Sequence, residues 1–158
     1  MLLRTQLLAL SCLALGACGS GPDKPPPARE YADPGFVTAS GVRLYYALTL
    51  VSDLPPAIAG SYAVVQRPNL ALLTITLAPA SGIGTERLAA NELEASAVTL
   101  IGERQALPLR RVNEAGGPSY LAEVTVRDRE PITIEIRARA IAGGPEITAR
   151  WTREFYLE

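Results

Sequence analysis

The sequence predicts an all-β domain, an immunoglobulin-like antiparallel β-sandwich of about seven strands with one short helix. Three observations carry this. Apolar residues alternate along GVRLYYALTLV, with Val42, Leu44, Tyr46, Leu48 and Leu50 on one face and Arg43, Tyr45, Ala47 and Thr49 on the other, the period of a half-buried strand. Similar runs recur at short intervals, separated by PASGIG, IGER, NEAGGPS, RDREP and AGGPE, all rich in turn-forming residues. Helical spacing is confined to two short stretches. A closed barrel is the alternative architecture.

The chain begins outside that domain. MLLRTQ carries one positive charge at Arg4, and the short apolar run LLALSCLALGA follows. The run falls well below the roughly 20 residues a spanning helix needs, and it ends in small residues, so residues 1–17 read as a signal peptide. Its end, Leu15-Gly16-Ala17-Cys18, resembles the lipobox of bacterial lipoproteins. The resemblance implies cleavage between Ala17 and Cys18, a diacylglycerol on the Cys18 thiol and an acyl chain such as palmitate on the new amino group. Several chains, at about 0.8 kcal/mol per buried methylene, hold a protein stably where one holds it reversibly. Gly19, where such lipoproteins retained in the inner membrane carry aspartate, implies the outer membrane, facing the periplasm. Residues 18–33 are then the lipidated cysteine and a tether. Pro25-Pro26-Pro27 favour polyproline II, and GSGPDKPPPARE, about 12 residues at about 3.1 Å each, reaches roughly 40 Å.

Residues 34–158 form the single domain. After the first alternating strand, Ser52 or Asp53 is placed to cap a short helix over Ala57 to Tyr62. Strands are expected at Leu70–Ala78, Leu93–Ile101, Gln105–Val112, Tyr120–Val126, Ile132–Ile141 and Ile147–Tyr156, with a weaker helical stretch at Thr85–Ala95. Ile132, Ile134 and Ile136 are expected to face Ile147, Ala149, Trp151 and Phe155 inside a final hairpin, with Trp151 as the largest core contribution. Strict alternation points Arg153 inward as well, so either a bulge turns it out or a carboxylate partners it in the core.

Missing residue types bound the chemistry. There is no histidine, and Lys24 is the one lysine, in the tether. Cys12 and Cys18 are the only cysteines, and Cys12 leaves with the signal. Catalytic triads, Cys-His pairs, zinc sites and Ser-Lys dyads are therefore not expected, and no cofactor or metal site is assigned. With 15 basic and 16 acidic residues, no global field draws the protein to nucleic acid.

GVRLYYALTL, LPPAIAGSYAVVQRPNLALLTITL, SYLAEVTV and GGPEITARWTREFYLE, in that order, resemble the domain of unknown function 4426 family, short exported proteins of Gram-negative bacteria. The matching positions are Tyr46, Leu54 with Pro56, Tyr62, Asn69, and Glu154-Phe155-Tyr156 with Glu158, over about residues 41–158. The chain departs from the pattern at Leu73-Thr74-Ile75, where the family has an asparagine, and in its lipobox. The resemblance implies a class and transfers no catalytic residue.

Carboxylates are the acid-base groups that remain, and two of them hydrolyse a glycoside when they stand about 5 to 10 Å apart across a cleft. The pairs near in sequence or expected pairing are Glu92 with Glu94, Asp128 with Glu130, and Glu135 with Glu154. Arg137, Arg139, Arg150 and Arg153 form a possible binding surface for anionic glycan, phosphate or an acidic partner, or else pair with glutamates across strands. Ser81-Gly82-Ile83-Gly84 lacks the lysine of a phosphate loop and reads as a turn. Tyr45, Tyr46 and Tyr62 are candidates for a ligand surface or for packing. The expectation is a non-enzymatic, envelope-anchored binding or scaffolding module with an envelope protein partner. A small-molecule or glycan binder, or a carboxylate-dependent glycan hydrolase, is the alternative.

Overall fold

The computed structural model describes residues 35–81 and 86–157. Over them run nine strands: β1 Phe36–Ala39, β2 Val42–Leu50, β3 Leu70–Pro79, β4 Glu92–Val98, β5 Arg104–Ala106, β6 Arg110–Glu114, β7 Gly117–Thr125, β8 Ile132–Arg139 and β9 Ile147–Arg153. They form two antiparallel sheets, β1-β2-β3-β7-β6 and β5-β4-β8-β9. The all-β sandwich predicted from period and punctuation is the fold observed.

The core lies between the sheets. Leu44, Leu48, Leu73, Ile75 and Leu77 from the first meet Ala97, Ile134, Ile136 and Ile147 from the second, and each large aliphatic withdrawn from water contributes roughly 1.5–3 kcal/mol. In β3 the alternation fails over Leu70–Leu73, four consecutive buried residues. Ala71 and Leu73 face the other sheet, while Leu70 and Leu72 lie beneath Val51 and Val64 of the β2–β3 excursion, beside Leu121. That excursion holds a 3-10 turn, Val51–Asp53, and the helix α1, Pro56–Ser61. The helix lies one residue earlier than expected and is capped at Pro55, not at Ser52 or Asp53.

Two further expectations are corrected. The run Gln105–Val112 is not one strand, since β5 belongs to one sheet and β6 to the other. Pro108 has no N–H to give a ladder, and the chain crosses there, with Leu107 buried and its N–H donated to the Ala95 carbonyl at 2.9 Å. The stretch at 85–95 is nowhere helical among its described residues, and β4 begins at Glu92 within it. Arg87 N–H bonds the Gly116 carbonyl at 2.7 Å and Leu88 N–H the Leu77 carbonyl at 2.7 Å, while Ala90 N–H reaches the Tyr120 hydroxyl at 2.8 Å. Tertiary partners for the backbone outweigh a weak helical propensity.

The last hairpin buries Ile132, Ile134, Ile136, Ile147, Ala149 and Phe155 as expected. Trp151, however, is only partly buried, because β9 is an edge strand. It closes the rim by stacking on Tyr46, with ring centroids 4.2 Å apart and planes at 26°. Arg153 takes neither expected course. The β8–β9 register runs without a bulge to Ile132 opposite Arg153, and the side chain leaves through the open end of the sandwich. There Nη1 donates to the Leu48 carbonyl at 2.6 Å and the guanidinium lies 5.0 Å from the Phe155 ring centroid.

Candidate functional site

The outer face of the β5-β4-β8-β9 sheet collects most of the residues expected to act. Antiparallel register sets Glu92 opposite Arg139, Glu94 opposite Arg137, and Glu135 opposite Arg150. Arg137 pairs with Glu94 at 3.0 Å and Arg150 with Glu135 at 3.3 Å. Arg139 pairs with Glu92 and, at 3.2 Å, with Glu146. Glu135 also accepts from Arg104 on β5, which with the neighbouring arginines holds its carboxyl below the usual carboxylate range. A glycosidic general acid needs the opposite shift.

Arg137, Arg139 and Arg150 are thus brought together, each with a glutamate, while Arg153 projects on the other side of the sheet. The carboxylates expected as pairs are not set across a cleft. Glu92 and Glu94 lie side by side on one strand, each held by an arginine. Asp128 accepts from the Leu157 N–H at 2.9 Å, and Glu130 pairs with Arg127 at 3.3 Å. Glu154 is exposed.

Beside this ladder the sheet edge is open. β5 covers Ser96–Val98, and the chain then departs for the other sheet, so Glu92–Glu94 lie beyond the reach of β5. A groove of about 460 Å³ results, with Leu93, Leu107 and Leu109 among its apolar walls and Glu94, Arg104 and Arg137 among its charged ones.

A second constellation escapes sequence reasoning. Arg110, Val112 and Glu114 share the outer face of β6, opposite Leu121, Ser119 and Gly117 of β7. Glu114 accepts from the Tyr62 hydroxyl at 2.8 Å on Oε1, and from Ser119 Oγ at 2.9 Å and Arg87 on Oε2. Arg87 also reaches Ser119 Oγ at 2.6 Å. Charge-assisted bonds, first from Arg87 and then from Tyr62, hold the Glu114 carboxyl below its ordinary range, and the same contact raises the Tyr62 phenol. Such a saturated carboxylate is a poor proton carrier. It fastens three separate segments: the β2–β3 excursion, the 86–91 stretch and the β6–β7 hairpin. Arg110 adds a bond to the Tyr62 carbonyl. The one signal available beforehand was period 2, which puts Arg110, Val112 and Glu114 on one face.

Of the other tyrosines, Tyr46 is packed against Trp151 and Tyr45 is exposed. Tyr45 lies 5.8 Å from the Phe36 ring, with the Arg43 guanidinium 5.0 Å and 5.9 Å from the two centroids. Residues 1–33, with the expected cleavage at Ala17 and lipidation at Cys18, lie outside the described residues, as do 82–85 of the glycine-containing turn. Among the described residues no helix is long and apolar enough to cross a membrane, and no group of three or more His, Cys, Asp or Glu could hold a metal.

The fold has solved counterparts. A DUF4426 family protein from Pseudomonas aeruginosa superposes with a TM-score of 0.63 at 22% identity, covering 78% of this chain and 94% of that one. FetP from uropathogenic Escherichia coli strain F11 superposes at 0.52 with 11% identity, covering 78% and 93%. A copper-bound variant of that FetP gives 0.50 at 13% identity, covering 78% and 90%. These likenesses are of fold. The copper is said of that variant alone; residues 35–157 of this chain contain no histidine, cysteine or methionine, the imidazole and sulfur donors that copper favours. No curated protein matches the sequence significantly. The family model described as domain of unknown function (DUF4426) matches residues 37–158, and on that match the chain belongs to the DUF4426 family.

Proposed function

We propose that this protein is an envelope lipoprotein, anchored through Cys18 and facing the periplasm, whose sandwich is a non-enzymatic module that binds a protein partner. The observation that carries the reading is the open edge beside β5. It combines an uncovered stretch of β4, an apolar groove and a rim of paired Arg and Glu, the mixture through which sheet edges accept an extended segment of another chain. The occupancy of Glu92, Glu94 and Glu135 by arginines supports a binding role over carboxylate hydrolysis, and the near-zero net charge supports a protein over nucleic acid. The fold shared with FetP, a protein expressed in the periplasm, is compatible with that compartment.

The test is site-specific photocrosslinking in living cells with the native leader retained. A crosslinker at Leu109 is expected to trap one defined protein, a crosslinker at Ala47 on the far sheet none, and Cys18→Ser to move the chain into the soluble fraction. Equal adducts at Leu109 and Ala47 overturn the binding edge, and unchanged fractionation of Cys18→Ser overturns the anchor.

A further inference from the structure

The β4–β5 hairpin ends in a tip that the core does not explain. Leu100 is 70% exposed and the adjacent Ile101 is 87% exposed, two large aliphatics in sequence that belong to neither core cluster. The tip is held in this form. Thr99 N–H bonds the Glu103 carbonyl at 3.0 Å, Gly102 N–H bonds the Thr99 carbonyl at 2.9 Å, and Glu103 N–H bonds the Thr99 hydroxyl at 3.2 Å. Gly102 supplies the positive φ of 81° that closes the turn. A recess of about 650 Å³ separates the hairpin from the β7–β8 connection, so the tip stands clear of the domain.

Strand directions place this tip in the molecule. The β4–β5 tip, the β7–β8 connection and the segment after β9, with exposed Tyr156, lie at one end of the sandwich, the end where β2 reaches Leu50. β1 runs away from that end toward the Ser40–Gly41 turn. Cys18 stands 17 residues before Gly35, a separation that keeps the domain within about 50 Å of an anchor.

From this placement we infer that the Thr99–Glu103 tip is a membrane-docking finger, which seats Leu100 and Ile101 in the interfacial region of the bilayer carrying the Cys18 anchor. The inference rests on the lipoprotein reading above. Two side chains are far too small a patch for a stable protein interface, which buries about 800 Å² per partner. They are enough for a bilayer, because the anchor already supplies a high local concentration and each apolar side chain has only to add to it. Docking would orient the domain, leaving the groove beside β5 accessible along the sandwich flank.

The experiment uses the full chain, made with its own leader, purified from membranes and reconstituted into vesicles of phosphatidylethanolamine and phosphatidylglycerol. With Cys18 acylated, a single introduced thiol is labelled with an environment-sensitive fluorophore. Ile101→Cys is compared with Ile141→Cys, which is similarly exposed at 69% but lies at the opposite end. Nitroxide-bearing lipids are expected to quench the label at 101 at least threefold more than the label at 141, and Leu100→Ser is expected to lower that quenching about twofold. Equal quenching at both positions, with the N-terminal peptide shown by mass to be acylated, overturns the finger and leaves the anchor standing. An unmodified Cys18 overturns the anchor reading and the finger with it.

Discussion

Replacing Glu114 with alanine tests the account of the Tyr62–Glu114–Arg87–Ser119 cluster most directly. The carboxylate accepts three side-chain bonds, and its removal leaves three donors to find new partners. Arg87 and Tyr62 are partly exposed and regain water at small net cost. Ser119 is 1% exposed, and leaving a buried hydroxyl short of its acceptor costs about 1–3 kcal/mol. Loss of the charged bond to Arg87 adds about 1 kcal/mol at this degree of exposure. The sum is about 3 kcal/mol, or a fall of roughly 10 °C in Tm for a domain of this size. Glu114→Gln keeps the shape and one acceptor, and is expected to lose about half as much. Differential scanning calorimetry with urea titration measures both. The pH dependence provides a separate check. Because the folded carboxyl titrates below its ordinary range, its contribution is complete above that range and is lost as pH falls through the folded value. Wild type should therefore lose stability more steeply than Glu114→Gln in acid, and the two curves should run parallel at neutral pH. A Glu114→Ala variant within 0.5 kcal/mol of wild type, or with an unchanged acid limb, refutes the fastening role.

Gly117→Ala should destabilise by about 2–3 kcal/mol in urea, since φ is +117° and a Cβ there would stand 2.8 Å from the Arg87 carbonyl oxygen. Ile134→Ala, at a fully buried position in the second sheet, should cost about 2–5 kcal/mol by the same measurement. Glu135→Gln removes one carboxylate from between Arg104 and Arg150 on a solvent-facing ladder. It should cost little at low salt and nothing measurable in about 0.5 M salt, where exposed pairs are screened.

Two clusters of charge, one on each outer face, thus have unlike natures. On the β5-β4-β8-β9 sheet the arginines and glutamates lie in solvated cross-strand rows, adding modest stability and a patterned rim around the groove. On the other sheet Glu114 joins elements distant in sequence, 52 residues from Tyr62 and 27 from Arg87, so its removal loosens connections as well as a contact. Binding at the edge and the fastening of the 86–91 stretch are separable: Arg137→Gln, on the exposed rim of the groove, should leave stability near wild type, and variants at Glu114 should not.

Fold class followed from local pattern alone, since period 2 with frequent turns is incompatible with a helical core. Composition alone removed histidine, lysine and thiol chemistry from the domain. Alternation also placed Glu92 with Glu94 and Arg137 with Arg139 on common faces. It did not say which strands neighbour each other, because every alternating strand looks alike in this respect. Sheet order and register decided that Arg137 meets Glu94 and not Glu154, that 105–112 divides between two sheets, and that Leu70 and Leu72 are covered on the outside. The Glu114 cluster was beyond local pattern because its members come from three separate segments, and only the folded chain brings them within a hydrogen bond.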